Sequence, residues 1–311
     1  MSHLRFSIVI PTRNGAASLP ALLDSIWSQR TFGALEIIAV DSGSSDDTLD
    51  VLAQKAVNVI EIPLAAFDHG GTRNLAIAKA RGEFIVLLVQ DARLADENCL
   101  EALARPFATD AKLAGTFARQ VTRPDASALT RHYHTQWSSS AMEGRRADLE
   151  NGQDGLDILP PADRLALCTF DNVASCIRRS VWEQYPFKTT PIAEDLEWAR
   201  EVLLRGYAIA FVPDAVVEHS HERSAGYEYA RTRLLHARLY DLFGLRTIPS
   251  LPSLALAIAS STARHMAVEW RQPARWPRAA GLAVAWPLGQ YVGARTARRG
   301  DVRPRASEGK V

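Results

Sequence analysis

The chain has 311 residues, 47% of them hydrophobic and 23% charged, which excludes a disordered polymer and is enough for one large α/β domain with an appendage. Its 36 basic and 35 acidic residues nearly cancel, so net charge points to no nucleic-acid partner. The three cysteines form no CxxC pair, no signal-peptide pattern precedes Phe6, and no apolar run reaches the ~18–20 residues that span a bilayer, so a cytoplasmic protein with reduced thiols is expected.

Residues 6–11 (FSIVIP) form an unbroken apolar run and read as a buried strand. Over 18–29, Leu19, Leu22, Leu23 and Ile26 fall on one helical face, with Ser18 as N-cap. A strand is expected over 36–40, a short helix over 46–55, a strand over 58–63, a helix over 72–81 ended by Gly82, and a strand over 84–89. This alternation implies an α/β fold with a mostly parallel sheet covered on both faces, and ligands beyond the carboxyl ends of the strands. The rim so defined comprises 12–15, 41–44, the stretch after Pro63, and 90–92.

The pattern fades over 123–163, which reads as a long flexible excursion on the acceptor side. A helix is expected over 194–205 with Gly206 as its stop, then a strand over 208–213 and a shorter one over 216–221. From 227 the chain turns helical and rich in Ala, Arg and Trp, so a division into 1–226 and 227–311 is expected. Between Arg264 and Arg305 nine Arg face only Glu269 and Asp301, with Trp270, Trp276 and Trp286 interleaved. That suits either a helix at an anionic membrane surface or a helical cap with a solvated Arg face.

Several rim residues can carry chemistry. Asp41, just after a strand, can accept the imide N–H of a pyrimidine base or a ribose hydroxyl, or simply shape the DSGS turn. Asp91 follows the most apolar strand, where a carboxylate can hold a divalent cation that bridges a diphosphate. In 67–74 (FDHGGTRN), two glycines and a helix start suit an approaching anion, and Arg73 adds a cation. Glu194 and Asp195 open a helix and serve either the helix dipole or proton abstraction. His219 and His221 alternate in extended chain, so both imidazoles can face one site, as structural groups or as ligands. HExxH, GxxxxGK[ST] and GxSxG are all absent, which removes the commonest metalloprotease, NTPase and hydrolase readings.

Taken in order, 6–14 (FSIVIPTRN), 38–48 (IAVDSGSSDDT), 70–74 with 80–82, 84–92 (FIVLLVQDA), 193–198 (AEDLEW) and 219–221 resemble the family 2 glycosyltransferases of the GT-A fold. FDHGGTRN, VQDA and AEDLEWA look most like bacterial rhamnosyltransferases of surface-polysaccharide assembly.

The resemblance implies a GT-A domain with a C-terminal helical extension. It also implies roles: Pro11, Thr12, Asn14, Asp41, Gly43, Arg73, Asn74 and Gln90 at the nucleotide-sugar donor, and Asp91 with His219 or His221 at a Mg²⁺ or Mn²⁺ ion. Asp195 becomes the base for an inverting transfer, with Glu194 beside it. The family's DxD motif is incomplete, because Val89 stands where its first acid would be. The implied donor is dTDP-L-rhamnose, then a UDP-hexose; the implied acceptor is a glycan or lipid-linked glycan, which a membrane-surface reading of the basic tail would meet at the cytoplasmic face. A nucleotidyltransferase acting on sugar phosphates and a non-catalytic nucleotide-sugar binder are the alternatives. The first would need a Gly-rich triphosphate loop, for which 11–15 is a poor substitute.

Overall fold

The computed structural model describes residues 4–297, whose strands form one nine-stranded sheet. In chain order they are β1 (Leu4–Thr12), β2 (Ala34–Asp41), β3 (Asn58–Glu61), β4 (Phe84–Leu88), β5 (Arg93–Leu94), β6 (Leu113–Val121), β7 (Arg145–Ala147), β8 (Ala174–Arg178) and β9 (Ala208–Glu218). The sheet order is β3-β2-β1-β4-β8-β6-β9-β5, with β7 also on β9. β3, β2, β1 and β4 run parallel, as do β6 and β9. β8 is antiparallel to both of its neighbours, and the short β5 and β7 are antiparallel to β9.

The unbroken apolar runs follow from burial on both faces. In β1, Phe6, Ile8 and Ile10 join one core, while Val9 joins the other. The first core is closed by α1 (Leu19–Trp27), α2 (Thr48–Gln54) and α4 (Cys99–Ala104). Ser18 holds the N-cap position of α1, but its side chain makes no capping bond. The second core takes its helical side chains from α3 (His69–Ile77), α9 (Glu194–Leu204) and α10 (Ala225–Phe243). Cys99, Cys168 and Cys176 are buried free thiols, and burial pushes the first two up to about 12.

Two expectations change. α3 starts at His69 rather than Thr72, because Asp68 caps it by accepting from the Gly71 N–H at 2.7 Å. The stretch 123–163 also carries regular structure: α5 (Ala128–His134), β7, α6 (Gly152–Asp157) and the start of α7 (Pro161–Leu167). Leu129, Ala147 and Leu156 are buried there, anchors too widely spaced to raise a periodic signal in such short elements.

After the four-residue α8 (Arg179–Trp182) and then α9, the described residues continue through α10, α11 (Leu251–Val268) and α12 (Trp276–Thr296). α12 lies on α10, and α11 on α12 and α5. Arg298, Arg299, Asp301, Arg303 and Arg305 of the basic tail lie outside the described residues. Among the described residues no helix is long and apolar enough to cross a membrane.

Candidate functional site

The smallest strand assembles the first cluster. In β5, Arg93 pairs with Glu218 and Leu94 with Val217. That pairing holds Asp91, just before β5, against His219 and His221, just after β9. Nε2 of His219 lies 3.6 Å and Nδ1 of His221 3.3 Å from the Asp91 carboxylate. One ligand atom from each of the three residues lies within 4.8 Å of the others. Burial, then the neighbouring His221, pushes His219 down to about 3, although Asp91 pulls the other way. Burial lowers His221 as well, so both rings are neutral near pH 7 and their contacts with Asp91 are not ion pairs.

This donor set fits a divalent cation. Nε2 of His219 is buried and has no hydrogen-bond partner among the described residues, which is costly unless something ligates it. Its other nitrogen, Nδ1, lies 3.2 Å from Oε1 of the buried Gln120. An amide oxygen only accepts, so Nδ1 carries the proton and Nε2 keeps its lone pair. Arg123 reaches the backbone oxygen of Asp91, and its guanidinium lies 3.7 Å from the Asp91 carboxylate.

A second, acidic cluster sits at the start of α9. Ala193, just before it, is left-handed with φ +62°, a strained conformation for alanine that fixes where the helix begins. Glu194 is buried and paired with Arg73 at 2.9 Å. Burial works against its charge, but Arg73 holds the carboxyl below the usual range. Asp195 is the opposite case. Burial, then the charges of Glu194 and Asp171, push it up to about 8. Its carboxylate accepts from the backbone N–H groups of Leu196 at 2.8 Å and Asn172 at 3.4 Å. Burial also raises Asp171, whose carboxylate accepts from Val173 N–H, Ser139 Oγ and Gln120 Nε2.

The donor-side residues line the expected rim, but most are engaged with one another. The buried Asp41 accepts from the Gly43 and Ser44 N–H groups, the Ser44 hydroxyl and the Thr12 hydroxyl. Those four donors fill the roughly four lone-pair positions of a carboxylate, so the turn-shaping role is the one observed. Gly43 adopts φ +77°, as this turn requires. Pro11 lies in β1 opposite Val40. Asn14 N–H donates to Ser44 Oγ, and its side-chain oxygen accepts from Ser45 N–H. Gln90 clamps the Arg13 backbone, accepting from its N–H at 2.8 Å and donating to its carbonyl at 3.0 Å. In contrast, Nε and Nη1 of Arg13 are buried without a hydrogen-bond partner among the described residues.

The 67–74 segment departs from expectation. Asp68 caps the start of α3, so its carboxylate already takes the Gly71 N–H where an anion was expected to approach. Gly70 serves packing, since a Cβ there would meet the Lys188 carbonyl oxygen at 2.0 Å. Arg73 is committed to Glu194, and the Asn74 side chain bonds Phe187 and the Trp182 indole. Both act here as supports for the α9 region. Gln120, Arg123 and Asp171 went unnoticed in the sequence. No motif marks them, and only strand pairing brings them to the site.

Comparison with known proteins agrees with this architecture. The family described as "Glycosyl transferase family 2" matches residues 7–158. The chain is 33% identical over 245 residues to the O-antigen chain rhamnosyltransferase RfbN of Salmonella typhimurium, covering 75% of this chain and 73% of that protein. It is 30% identical to the O-antigen chain rhamnosyltransferase WbaN of Salmonella anatum, covering 75% and 72%. Among solved structures, a mannosyltransferase from Pyrobaculum calidifontis in complex with GDP-Man and Mn²⁺ superposes with TM-score 0.54 at 19% identity, over 96% of this chain and 76% of that one. Glucosyl-3-phosphoglycerate synthase from Mycobacterium tuberculosis, in complex with Mn²⁺, UDP and glucosyl-3-phosphoglycerate, also reaches 0.54 at 20% identity, over 79% and 81%. At these identities the two structures speak for the GT-A fold.

Proposed function

The chain belongs to glycosyl transferase family 2 and is a glycosyltransferase; from that premise we propose an inverting rhamnosyltransferase that moves L-rhamnose from dTDP-L-rhamnose to a hydroxyl of a glycan or lipid-linked glycan. The observation that carries the reading is the juxtaposition of two unlike centres at one end of the sheet. One is the Asp91–His219–His221 cluster of neutral imidazoles and a carboxylate. The other is Asp195, a carboxyl kept from ionising by burial and by its acidic neighbours.

Asp91 and Nε2 of His219, with His221 beside them, are the residues that would hold Mg²⁺ or Mn²⁺. The ion would offset the charge that builds on the departing nucleoside diphosphate. Asp195 takes the proton of the acceptor hydroxyl as that oxygen attacks the anomeric carbon from the opposite face. Glu194 keeps Asp195 basic and is itself fixed by Arg73. On the donor side, Asp41, Thr12, Gly43, Asn14 and Pro11 shape the nucleotide rim, and Gln90 holds its first turn.

A nucleotidyltransferase finds no support in this rim. The N–H groups of Arg13, Asn14, Gly15 and Ala16 all bind side chains and are not available to cradle a triphosphate. Asp195→Asn tests the reading: transfer from dTDP-L-rhamnose should be lost while dTDP binding by calorimetry stays near wild type. Near-normal turnover in that variant would remove Asp195 as the base.

We also place the acceptor at a membrane surface. The first three turns of α11 expose apolar and small residues, with Leu251 65% and Leu256 72% exposed and no charged residue before the exposed Arg264. Beyond it, Trp270 is 61% and Trp276 43% exposed, and Arg271 is exposed beside them. An apolar stripe ending in Trp and Arg suits the interface of an anionic bilayer.

A further inference from the structure

The two centres are joined through one buried side chain. Gln120 lies near the end of β6, 2% exposed, and its amide faces both ways. Its Oε1 meets Nδ1 of His219 at 3.2 Å, and its Nε2 donates to Asp171 and, at 3.4 Å, to Ser139 Oγ. Asp171 decides which way the amide points. Reversing it would set the amide oxygen against a carboxylate that already accepts from Val173 and Ser139. Asn172 follows directly. Its backbone N–H reaches Asp195 at 3.4 Å, and its side chain donates to Glu194 at 3.3 Å.

We propose that Gln120 is a positioning residue that couples the cation-binding cluster to the catalytic carboxylate. Through Oε1 it holds His219 as the Nδ1-protonated tautomer, so that Nε2 faces Asp91 with its lone pair free. Through Nε2 it holds Asp171, and with it the turn that presents the Asn172 N–H to Asp195. The inference rests on the glycosyltransferase site described above and adds a residue that touches neither cation nor substrate. Partners of this kind, one shell out from a ligand histidine, typically change metal affinity by about 10–100-fold.

The two halves of the amide can be separated by substitution. Gln120→Leu removes both bonds, so Mn²⁺ affinity, read by EPR titration of the full chain without donor, should fall about 10–100-fold, and kcat should fall with it. Gln120→Glu keeps the volume and the acceptor for Nδ1–H but sets a carboxylate against Asp171. It should retain Mn²⁺ affinity and lose kcat, with little change in donor KM. Adding Asp171→Asn places an amide donor opposite the introduced carboxylate, so the double variant should recover turnover that Gln120→Glu alone has lost.

Unchanged Mn²⁺ affinity in Gln120→Leu, or no recovery in the double variant, would overturn the proposal. If Gln120→Leu does not fold, the isosteric Gln120→Glu variant and the double variant still decide it. Asp91→Asn and His219→Ala separate this failure from that of the site itself. If they weaken Mn²⁺ binding and Gln120→Leu does not, only the role of Gln120 is wrong. If they too leave binding unchanged, the cation reading has failed.

Discussion

At the scale of single residues, the proposed base Asp195, whose carboxyl is raised to about 8, would tie turnover to pH. As the proposed base, Asp195 would abstract a proton only when ionised, and burial together with Glu194 and Asp171 disfavours that form. The active form therefore gains as pH rises, and log kcat/KM, which reports the free enzyme, should climb to a plateau above roughly pH 8. Glu194→Gln removes a negative charge beside Asp195 and leaves the Arg73 guanidinium uncompensated. Both changes favour the ionised carboxylate, so the limb should move to lower pH. A limb that stays in place would detach Glu194 from the electrostatics of the base.

Secondary-structure elements meet here at glycines. A Cβ at Gly70, in the first turn of α3, would sit 2.0 Å from the Lys188 carbonyl oxygen. Gly70→Ala must push back the 187–188 backbone and should cost about 1–3 kcal/mol, seen as a lower denaturation midpoint. Along α12, Gly281, Ala285, Gly289 and Gly293 recur every fourth residue and form a smooth stripe. Cβ atoms built on Gly281, Gly289 and Gly293 would all meet α10, the worst at 2.3 Å from the Arg233 carbonyl oxygen at Gly293. Gly293→Leu should therefore lower Tm by several degrees through a loss of about 1–3 kcal/mol. Gly226→Ala, where nothing lies within 4 Å, should leave Tm nearly unchanged. That i, i+4 spacing of small residues was legible in the sequence and was the available signal that the C-terminal helices pack closely on one another.

At the scale of the whole molecule, α11 and α12 are tied to the rest of the chain through α5 and Glu222 as well as through α10. The Tyr133 hydroxyl lies 2.7 Å from Nε2 of the buried His265, whose Nδ1 meets the Ala279 carbonyl at 2.8 Å. The buried Glu269 accepts from Leu129 N–H, and Arg278 pairs with Glu222 at 2.7 Å. Removing the whole tail would strip these supports, so membrane contact is better tested on the exposed face of α11. Leu251→Glu with Leu256→Glu should sharply reduce co-sedimentation with phosphatidylglycerol vesicles and leave transfer to a soluble acceptor analogue intact. Undiminished sedimentation would leave α11 as a cap only.

The sequence by itself determined the order of strands and helices in the first ninety residues, though not where α3 begins, because a strand buried on both faces must be apolar throughout and a covering helix must keep one apolar stripe. It also placed Asp41, Asp91, Asp195 and the two histidines at strand or helix ends, where turn and cap chemistry leaves a readable mark. Only the tertiary structure decided what these residues touch. Asp91 finds its histidines through the two-residue β5, too short to carry any periodicity. Arg73 faces Glu194 from a helix in the first third of the chain, and Gln120 reaches His219 across 99 positions and Asp171 across 51. Such pairings are selected by the burial and hydrogen-bonding needs of the folded chain, which no local spacing records.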